Sequence, residues 1–420
     1  MPTSCSSECY RSSDRTPFRI ISLIIFLIAF INLALLFADS DEYVLVISFD
    51  GFRYDYLEKT ETPNFDKFIS NGVNAKSLIP VFPSLTFPNH YSIATGAYSD
   101  RHRILSNSFF SKTLNKKYSM RNSESVQNGD FYGMEPIWVT AQKKGLNTAT
   151  YFWIGSEAEI NGYRPSIYKN YDGSVSFQSR VDSIITWFEY SDKKKPQLSM
   201  LYFSEPDYSG HRYGTKGSEI ITSIKEMDDL LGYVINRLET LDIYNKLNII
   251  IVSDHGMTDV DKDRVVLLDK YIDLNQFDLI LGPSVSSLNF KINKDNIRID
   301  RTVEHLSIFY KENIPIEYHF KNQDAPDYLL VADEGWFIST SSDMKSKKNF
   351  PSGMHGYNSK NMSMHGIFIA SGPSFNKGVS VDSFENINVY PIICKVLNID
   401  PYDNGNGKYW NQLAINQIMK

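Results

Sequence analysis

Six side chains with metal-binding groups stand at or near the ends of apolar runs in this sequence. They are Asp50, Asp207, His211, Asp254, His255 and His355. Each has a simpler interpretation taken alone, because Asp before Gly is a common turn and Asp-x-x-x-His is often a surface pair. Together, mixed imidazole and carboxylate ligands favour Zn²⁺ over Mn²⁺ or Fe. Six ligands are too many for one ion, so the sequence predicts two.

A candidate nucleophile lies in Pro83-Ser84-Leu85-Thr86-Phe87-Pro88-Asn89-His90-Tyr91. Pro83 favours an extended residue before it and Pro88 suits a first helical turn, so Thr86 is expected at or just before a helix N-terminus. Unpaired N–H groups and the helix dipole favour a phosphate there. The Thr86 hydroxyl is therefore either a helix cap or a nucleophile. Because Ser and Thr caps are common, these residues alone favour the cap.

The elements that must position these residues alternate between strands and helices. Continuous apolar runs, typical of strands buried on both faces, are residues 43–49, 147–153, 198–203, 247–252 and 367–370. Helical segments lie between them, a short one at 64–70 and the clearest at 219–241. The alternation predicts an α/β fold with a mostly parallel central sheet and helices on both faces. Ligands of such a sheet bind beyond the carboxyl ends of its strands, which would gather the six side chains.

The length of 420 residues suits one large α/β domain with insertions, or two domains. We expect a catalytic domain at 41–412, with a less regular, lid-like insert at about 261–348. The net charge of -6 and the lack of a long basic run argue against nucleic-acid binding. Cys394 is the single cysteine after residue 38, so no disulfide can form within this part.

Residues 20–38 form an uncharged apolar run that is long enough to span a bilayer as a helix. Basic residues precede it and acidic residues follow it: Arg11, Arg15, Arg19, Asp39, Asp41 and Glu42. The positive-inside rule then predicts a cytosolic tail at 1–19 and a type II signal anchor, with the catalytic domain outside the cell. A cleaved signal peptide, which would give a secreted protein, is the alternative. Asn361-Met362-Ser363 is the one N-glycosylation pattern in the outer part.

Seven motifs, in a fixed order between Val44 and Gly407, carry a resemblance to a known family. They are Val46-Ile47-Ser48-Phe49-Asp50-Gly51-Phe52-Arg53, Thr86-Phe87-Pro88-Asn89-His90-Tyr91, Glu135-Pro136-Ile137-Trp138, Trp153-Ile154-Gly155-Ser156, Asp207-Tyr208-Ser209-Gly210-His211, Ser253-Asp254-His255-Gly256-Met257 and His355-Gly356-Tyr357. In this order they are highly specific. The chain resembles the ectonucleotide pyrophosphatase/phosphodiesterases of the alkaline phosphatase superfamily.

The resemblance implies two zinc ions per chain. One would be held by Asp50, Asp254 and His255, with Thr86 as fourth partner. The other would be held by Asp207, His211 and His355. His365 would be structural, since His355 matches the family position. Thr86 would attack phosphorus and give a threonine-linked nucleotidyl intermediate.

The resemblance also implies a set of substrate contacts. The residues concerned are Phe87, Asn107, Trp153, Glu157 and Tyr171. Asn107 and the backbone amide near Thr86 would contact phosphate oxygens, while Phe87 and Tyr171 would clamp a nucleobase between aromatic faces. Trp153 and Glu157 would lie near the same pocket. Leu85 stands where nucleotide-cleaving relatives often carry Lys, which bears on substrate preference.

These features predict a surface-anchored phosphodiesterase that releases nucleoside 5′-monophosphates from substrates such as ATP or dinucleoside polyphosphates. A choline-headgroup lysophospholipase C on the same scaffold is one alternative, and a phosphomonoesterase is another. An inactive surface receptor or adhesion ectodomain is an alternative of a different class. The complete ligand set argues against that last interpretation.

Overall fold

The computed structural model describes residues 42–291, 302–403 and 407–420, together with Met1, Ile299 and Gly405. Apart from Met1, the predicted tail at 1–19 and the predicted anchor at 20–38 lie outside the described residues. Among those described, no helix has both the length and the apolar character needed to cross a bilayer. One compact unit extends from Glu42 to Lys420.

The described residues form twenty strands. In chain order these are β1 Tyr43–Phe49, β2 Val73–Ala75, β3 Leu78–Ile79, β4 Ser108–Ser111, β5 Lys116–Ser119, β6 Thr148–Tyr151, β7 Ile167–Lys169, β8 Leu198–Phe203, β9 Leu247–Val252, β10 Thr258–Asp259, β11 Val265–Leu267, β12 Phe277–Ile280, β13 Val285–Phe290, β14 Leu306–Tyr310, β15 Tyr328–Ala332, β16 Phe337–Ser339, β17 Gly353–Met354, β18 Phe368–Ser371, β19 Val379–Val381 and β20 Phe384–Glu385.

Eight of these strands build the central sheet, in the order β19-β2-β18-β9-β1-β8-β6-β7. The predicted α/β fold is confirmed, but the sheet is mixed, because β18 runs antiparallel to both β9 and β2. Phe368 pairs with Val252, the last residue of β9, so β18 starts at the carboxyl edge of its neighbour and runs back. All other neighbouring pairs in the sheet are parallel.

The central strand β1 separates two hydrophobic cores. Successive side chains of a strand point to opposite faces. Accordingly, Val44 and Val46 pack into one core, whereas Leu45, Ile47 and Phe49 pack into the other. All five are fully buried. The continuous apolar run in the sequence therefore reflects burial on both faces of the sheet.

Eleven α-helices accompany the strands in the described residues. They are α1 Pro63–Ser70, α2 Thr86–Thr95, α3 Ser99–His102, α4 Ser123–Val126, α5 Ile137–Lys143, α6 Phe177–Phe188, α7 Asp207–Tyr213, α8 Ser218–Leu238, α9 Ser341–Ser346, α10 Val389–Val396 and α11 Gln412–Ile418. Apolar side chains of α2, α5, α10 and α11 belong to one core, and those of α1, α6 and α8 belong to the other. The helices thus cover both faces of the sheet.

The predicted insert at about 261–348 contains a second sheet. Its four antiparallel strands are ordered β12-β13-β15-β14, and β11 pairs separately with β16. This region has a core of its own, to which Leu288, Leu330 and Ile338 belong. It also reaches the end of the central sheet, because the Ser284 hydroxyl donates to the His355 carbonyl oxygen at 2.7 Å.

Candidate active site

Helix α2 presents Thr86 in its first turn. Leu85 before it is extended, and the side-chain amide of Asn89 donates to the carbonyl oxygens of Pro83 and Leu85 at 3.0 and 2.8 Å, which fixes the loop before the helix. The capping interpretation of Thr86 is wrong, because the capping position belongs to Leu85. The Thr86 Oγ1 instead lies 3.3 Å from Nε2 of His255, beside a cluster of carboxylates and imidazoles.

Two neighbouring parallel strands position the first three predicted ligands. β1 and β9 are paired up to Ser48 and Val252, so Asp50 and Asp254 each stand two residues beyond that pair. The His255 Nε2 lies 3.1 Å from Asp254 Oδ2 and 3.4 Å from Asp50 Oδ1. One ligand atom from each of the three lies within 4.8 Å of the others, and all three residues are buried. We refer to Asp50, Asp254 and His255 as the first group.

Gly51 explains how the loop that carries Asp207 can approach this group. Its φ is +66°, and a Cβ there would lie 2.8 Å from the Cα of Asp207. The N–H of Asp207 donates to the Asp50 carbonyl oxygen at 2.9 Å, and the Gly51 N–H donates to Asp254 Oδ1 at 3.2 Å. Only glycine fits this conformation and this spacing, so the Asp-Gly pair serves the site rather than a simple turn.

The second group consists of Asp207, His211 and His355. The first two lie one turn apart on α7, and His355 follows β17. Asp207 Oδ1 is 3.5 Å from Nε2 of His211 and 3.6 Å from Nε2 of His355. The rings of His255 and His355 stack with centroids 3.6 Å apart, so His255 borders both groups. The structure thus brings all six predicted ligands together.

The three imidazoles share one orientation. Each turns Nδ1 to a carbonyl oxygen at 2.9 Å, with the pairs His211 and Gly353, His255 and Gly256, His355 and Ser84. A carbonyl oxygen only accepts, so Nδ1 carries the proton and Nε2 is left with its lone pair. This is the tautomer of an imidazole whose Nε2 is a metal ligand.

Three buried carboxylate oxygens face these nitrogens without a hydrogen-bond donor among the described residues. They are Asp50 Oδ1, Asp207 Oδ1 and Asp254 Oδ2. Buried polar atoms of native proteins nearly always have a partner, and oxygen and nitrogen lone pairs that face one another repel. A cation between them would remove both penalties. The residues therefore fit metal ions, and a mixed carboxylate and imidazole set suits zinc.

The electrostatics of the cluster point the same way. Burial, followed by the charge of Asp254, raises the pKa of Asp50 well above its ordinary value. Burial also opposes ionisation of Asp254, but His255 and His90 outweigh it and lower the pKa of Asp254. Burial, then His255 and His211, lowers the pKa of His355 well below its ordinary value. The low pKa keeps the His355 imidazole neutral and ready to bind metal, whereas Asp50 needs a nearby positive charge to stay ionised.

A cavity of about 890 Å³ opens beside Thr86, Asp50 and Asp207. The predicted base-side residues Phe87, Trp153, Glu157 and Tyr171 line it. Tyr171 is 56% exposed, and its backbone N–H donates to Glu157 Oε1 at 2.9 Å. Trp153 is buried, with its indole N–H donating to the His90 carbonyl oxygen at 3.2 Å. Seven of the twenty residues that line the cavity are aromatic, which suits a planar base.

Asn107 lies just before β4, outside the lining of this cavity. Its Oδ1 accepts the Phe87 N–H at 2.9 Å, one residue beyond Thr86. This bond fixes the amide plane and leaves the side-chain NH₂ as a donor next to the start of α2. Asn107 is therefore held beside the candidate nucleophile.

Comparisons with known proteins agree with this geometry. A family model described as type I phosphodiesterase/nucleotide pyrophosphatase matches residues 44–358. The chain belongs to this family. Human ectonucleotide pyrophosphatase/phosphodiesterase family member 5 is 36% identical over 94% of this chain and 83% of its own length. The predicted enzyme class, a nucleotide pyrophosphatase/phosphodiesterase, is confirmed.

Solved structures of the family share the fold. Murine ectonucleotide pyrophosphatase/phosphodiesterase 5 superposes with a TM-score of 0.84 at 34% identity, covering 90% of this chain and 100% of that one. An inactive threonine-to-alanine variant of the murine protein, in complex with AMP, superposes with a TM-score of 0.83. Bis(5'-adenosyl)-triphosphatase ENPP4 of Bos taurus is 37% identical over 87% of this chain and 80% of its own length.

Longer family members extend well beyond this chain. It spans 42% of human family member 1 and 45% of a venom phosphodiesterase of Crotalus durissus collilineatus.

Two residues that support the phosphodiesterase site were not predicted from the sequence. The Tyr202 hydroxyl donates to Asp50 Oδ2 at 2.6 Å. The His90 ring contacts the Thr86 carbonyl oxygen at 3.0 Å and Ser48 Oγ at 2.8 Å. The four-residue spacing of Thr86 and His90 on one helix face was a usable signal. The sequence contains no comparable signal for Tyr202, because a tyrosine in a buried strand looks like any core aromatic residue.

His365 is kept out of the metal cluster by its own bonds. Its Nδ1 lies 2.8 Å from Ser77 Oγ, and its Nε2 lies 3.0 Å from the Ser359 carbonyl oxygen. Both ring nitrogens are thus engaged in a buried network, which agrees with the structural role expected for this histidine.

Proposed function

We propose that this protein is a metal-dependent hydrolase of the cell surface that cleaves nucleotide phosphodiester or pyrophosphate bonds and releases nucleoside 5′-monophosphates. The observation that carries the proposal is the position of Thr86. Its hydroxyl stands 3.3 Å from His255 of the first group and on the wall of the cavity that Asp50 and Asp207 also line. The AMP complex of the inactive murine threonine variant and the name of the bovine triphosphatase support a nucleotide substrate.

The two groups would each hold one zinc ion. Asp50, Asp254 and His255 would hold the first beside Thr86. Asp207, His211 and His355 would hold the second. Bound zinc would supply Lewis acidity, which makes the threonine hydroxyl easier to deprotonate and stabilises the charge of a departing oxygen.

Thr86 would carry the covalent step. Its Oγ1 would lose a proton and form a bond to phosphorus as the bond to the leaving oxygen breaks. The product is a threonine-linked nucleotidyl group, which water then hydrolyses to return Thr86 and release the monophosphate. The position of Thr86 in the first turn of α2 supports this step, because the positive end of the helix dipole favours negative charge on the phosphate.

Binding of the nucleotide would be divided between two sets of residues. The side-chain amide of Asn107, fixed by the Phe87 N–H, would donate to a phosphate oxygen. Phe87 and Tyr171 would stack on the base, with Trp153 and Glu157 forming the wall behind. Glu157 would act mainly by holding the backbone of Tyr171, since its Oε1 accepts that N–H.

The proposed location rests on the charge pattern around residues 20–38, which favours a type II signal anchor; cleavage would instead give a secreted protein. Strand β1 follows Glu42 and leads to Asp50 at its far end. Seven residues of strand span about 23 Å. The candidate active site therefore lies at the edge of the sheet away from Glu42, which suits substrates that arrive from solution.

The proposal is tested with the nitrophenyl ester of thymidine monophosphate and with nitrophenyl phosphate, each with and without a chelator. Faster cleavage of the diester, lost on chelation and restored by zinc, is the expected result. Faster cleavage of the monoester would favour the phosphomonoesterase instead. Cleavage of neither by zinc-loaded protein would favour a choline lipid substrate or a receptor role.

A further inference from the structure

Arg180 is a buried guanidinium behind the aromatic wall of the cavity, and the proposed chemistry does not use it. Only 1% of the surface of Arg180 is exposed to solvent. Within the described part of the chain, no carboxylate lies at ion-pairing distance from it, in contrast to Arg53 and Arg237. Removing a cation from water without a counter-ion is costly, so the donors of Arg180 must be satisfied by neutral groups.

Two backbone carbonyl oxygens satisfy these donors. Nε and Nη2 donate to the Val175 carbonyl oxygen at 3.2 and 3.1 Å, and Nη1 donates to the Tyr202 carbonyl oxygen at 3.0 Å. Val175 ends the loop that carries Tyr171, and Tyr202 lies in β8 with its hydroxyl on Asp50. The rigid fork of an arginine can bridge two such carbonyls, which a single ammonium group cannot do in the same geometry.

Two aromatic rings enclose the guanidinium. Its Cζ lies 4.8 Å from the ring centroid of Phe152 and 4.9 Å from that of Phe177, and both rings line the cavity. Phe152 has a φ of +67°, a conformation that bulky residues rarely adopt and that persists only where the surroundings enforce it. The Phe152 ring in turn contacts Tyr171, with centroids 5.2 Å apart.

Tyr171 depends on this support because it is more than half exposed. We propose that Arg180 is a positioning residue for the nucleobase: it fixes Val175 and Phe152, and these hold Tyr171 in place to stack on the base. This inference rests on the proposed function. It adds a residue that touches no substrate and acts through Tyr171.

The direct test is the affinity for AMP, measured by calorimetry on zinc-loaded protein. Tyr171→Ala should weaken binding about tenfold, since it removes one stacking face. Arg180→Lys keeps the charge but not the fork, and should weaken AMP binding about fivefold. The double variant should bind AMP no more weakly than Tyr171→Ala alone, because both changes act on one contact.

The matched control is Arg237→Lys. Arg237 bonds Asp182 of the same helix α6 at 2.7 Å and the Tyr233 hydroxyl at 3.1 Å, but among the described residues it bonds neither Val175 nor Phe152, so the AMP affinity of this variant should equal that of the wild type. Phe152→Leu removes the supporting ring without changing Arg180 and should reproduce the fivefold loss. It keeps the test decisive if Arg180→Lys does not fold.

Kinetics separate positioning from a general structural role. For the nitrophenyl ester of thymidine monophosphate, Arg180→Lys should raise KM about fivefold with little change in kcat. Bis(4-nitrophenyl) phosphate, which has no base, should be cleaved as by the wild type. Unchanged AMP affinity, or equal losses on both substrates, would overturn the inference. Failure of the wild type to bind AMP would overturn the proposed function, and the inference with it.

Discussion

The two ligand groups are built in different ways. The first group stands at the ends of two adjacent parallel strands, and its side chains are almost completely buried. The second group is assembled from one turn of α7 and a loop that follows β17, and the His211 side chain is 31% exposed. The register of β1 and β9 places Asp50 and Asp254 side by side, whereas the second group joins a helix to a loop.

The loop that carries His355 is held in place by contacts with two other segments of the chain. The imidazole binds the Ser84 carbonyl oxygen just before α2, and the Ser84 hydroxyl donates to the Tyr357 carbonyl oxygen at 2.8 Å. Ser284 of the second sheet holds the His355 carbonyl oxygen. Contacts with the loop before α2 and with the insert therefore hold the second group in position. We expect the first group to be the more rigid metal site and the second the more exchangeable one.

Replacing the candidate nucleophile should have the largest effect on activity. It should leave metal binding by both ligand groups unchanged. Thr86→Ala should lower kcat for nucleotide diesters by about a thousandfold or more, because no other hydroxyl can replace the threonine in the covalent step. Zinc content and the thermal midpoint should stay at wild-type values. Kinetics with the nitrophenyl ester, beside metal analysis, measures all three. Substantial turnover by this variant would contradict the covalent mechanism.

One ligand variant from each group should separate them. Asp254→Asn should lower activity about a thousandfold and lower the thermal midpoint, because it removes a charged ligand of the first group and leaves the buried His255 and His90 without the carboxylate beside them. His211→Gln should lower activity about a hundredfold and recover in part with excess zinc, since water can reach that position. Activity and melting curves across a zinc titration measure both. Equal losses of activity in the two variants, or recovery of Asp254→Asn with excess zinc, would contradict the proposed difference between the two groups.

Loss of the hydrogen bond from Tyr202 to Asp50 should have a smaller effect on activity. Tyr202→Phe removes the donor to Asp50 and should lower activity about tenfold, in the range found for groups that orient metal ligands. Tyr208→Phe is the matched control, because this tyrosine lies next to Asp207 on the cavity wall and is 63% exposed. Its activity should stay at the wild-type level. A similar loss of activity in both variants would show that the hydrogen bond to Asp50 has no specific role in the first group.

Acid should destabilise the fold around α2, the helix that carries Thr86. Burial lowers the pKa of His102 to about 3 from its ordinary 6.5, and the ring packs on Tyr91 of α2. Between these values the unfolded chain binds the proton and the folded chain does not, so stability is complete above pH 6.5 and falls with acid. At pH 5 the loss is about 2 kcal/mol. Urea unfolding at pH 7.5 and 5.0 should show this extra loss in the wild type and not in His102→Gln.

Much of the first group could be predicted from the sequence. Apolar runs located β1, β8 and β9 to within a residue, and the aspartates after them fell at the carboxyl edge. The direction of β18 could not be predicted, because an apolar run carries no sign of parallel or antiparallel pairing. The capping prediction for Thr86 failed because Asn89, within the helix, fixes the preceding loop. Tyr202 was missed since burial in a strand says nothing about where a hydroxyl points.

The second group was harder to foresee in physical terms. Asp207 and His211 are four residues apart, so helical geometry alone brings them together. His355 follows a region whose strands pair over long sequence separations, and its place is fixed by Ser84 and Ser284. The sequence offered His355 as a candidate because it lies shortly before the last apolar run, and the family resemblance favoured it over His365. Local patterns in the sequence do not encode these contacts.

The most direct test of the account is the number of zinc ions per chain, determined by mass spectrometry of the metal in protein purified without added chelator. Two ions per chain are expected for the wild type and for Thr86→Ala. Gentle chelation should remove one ion before the other, and His211→Gln should lose that more exchangeable ion. A wild-type chain that holds one ion or none while remaining active on nucleotide diesters would contradict the two-group site.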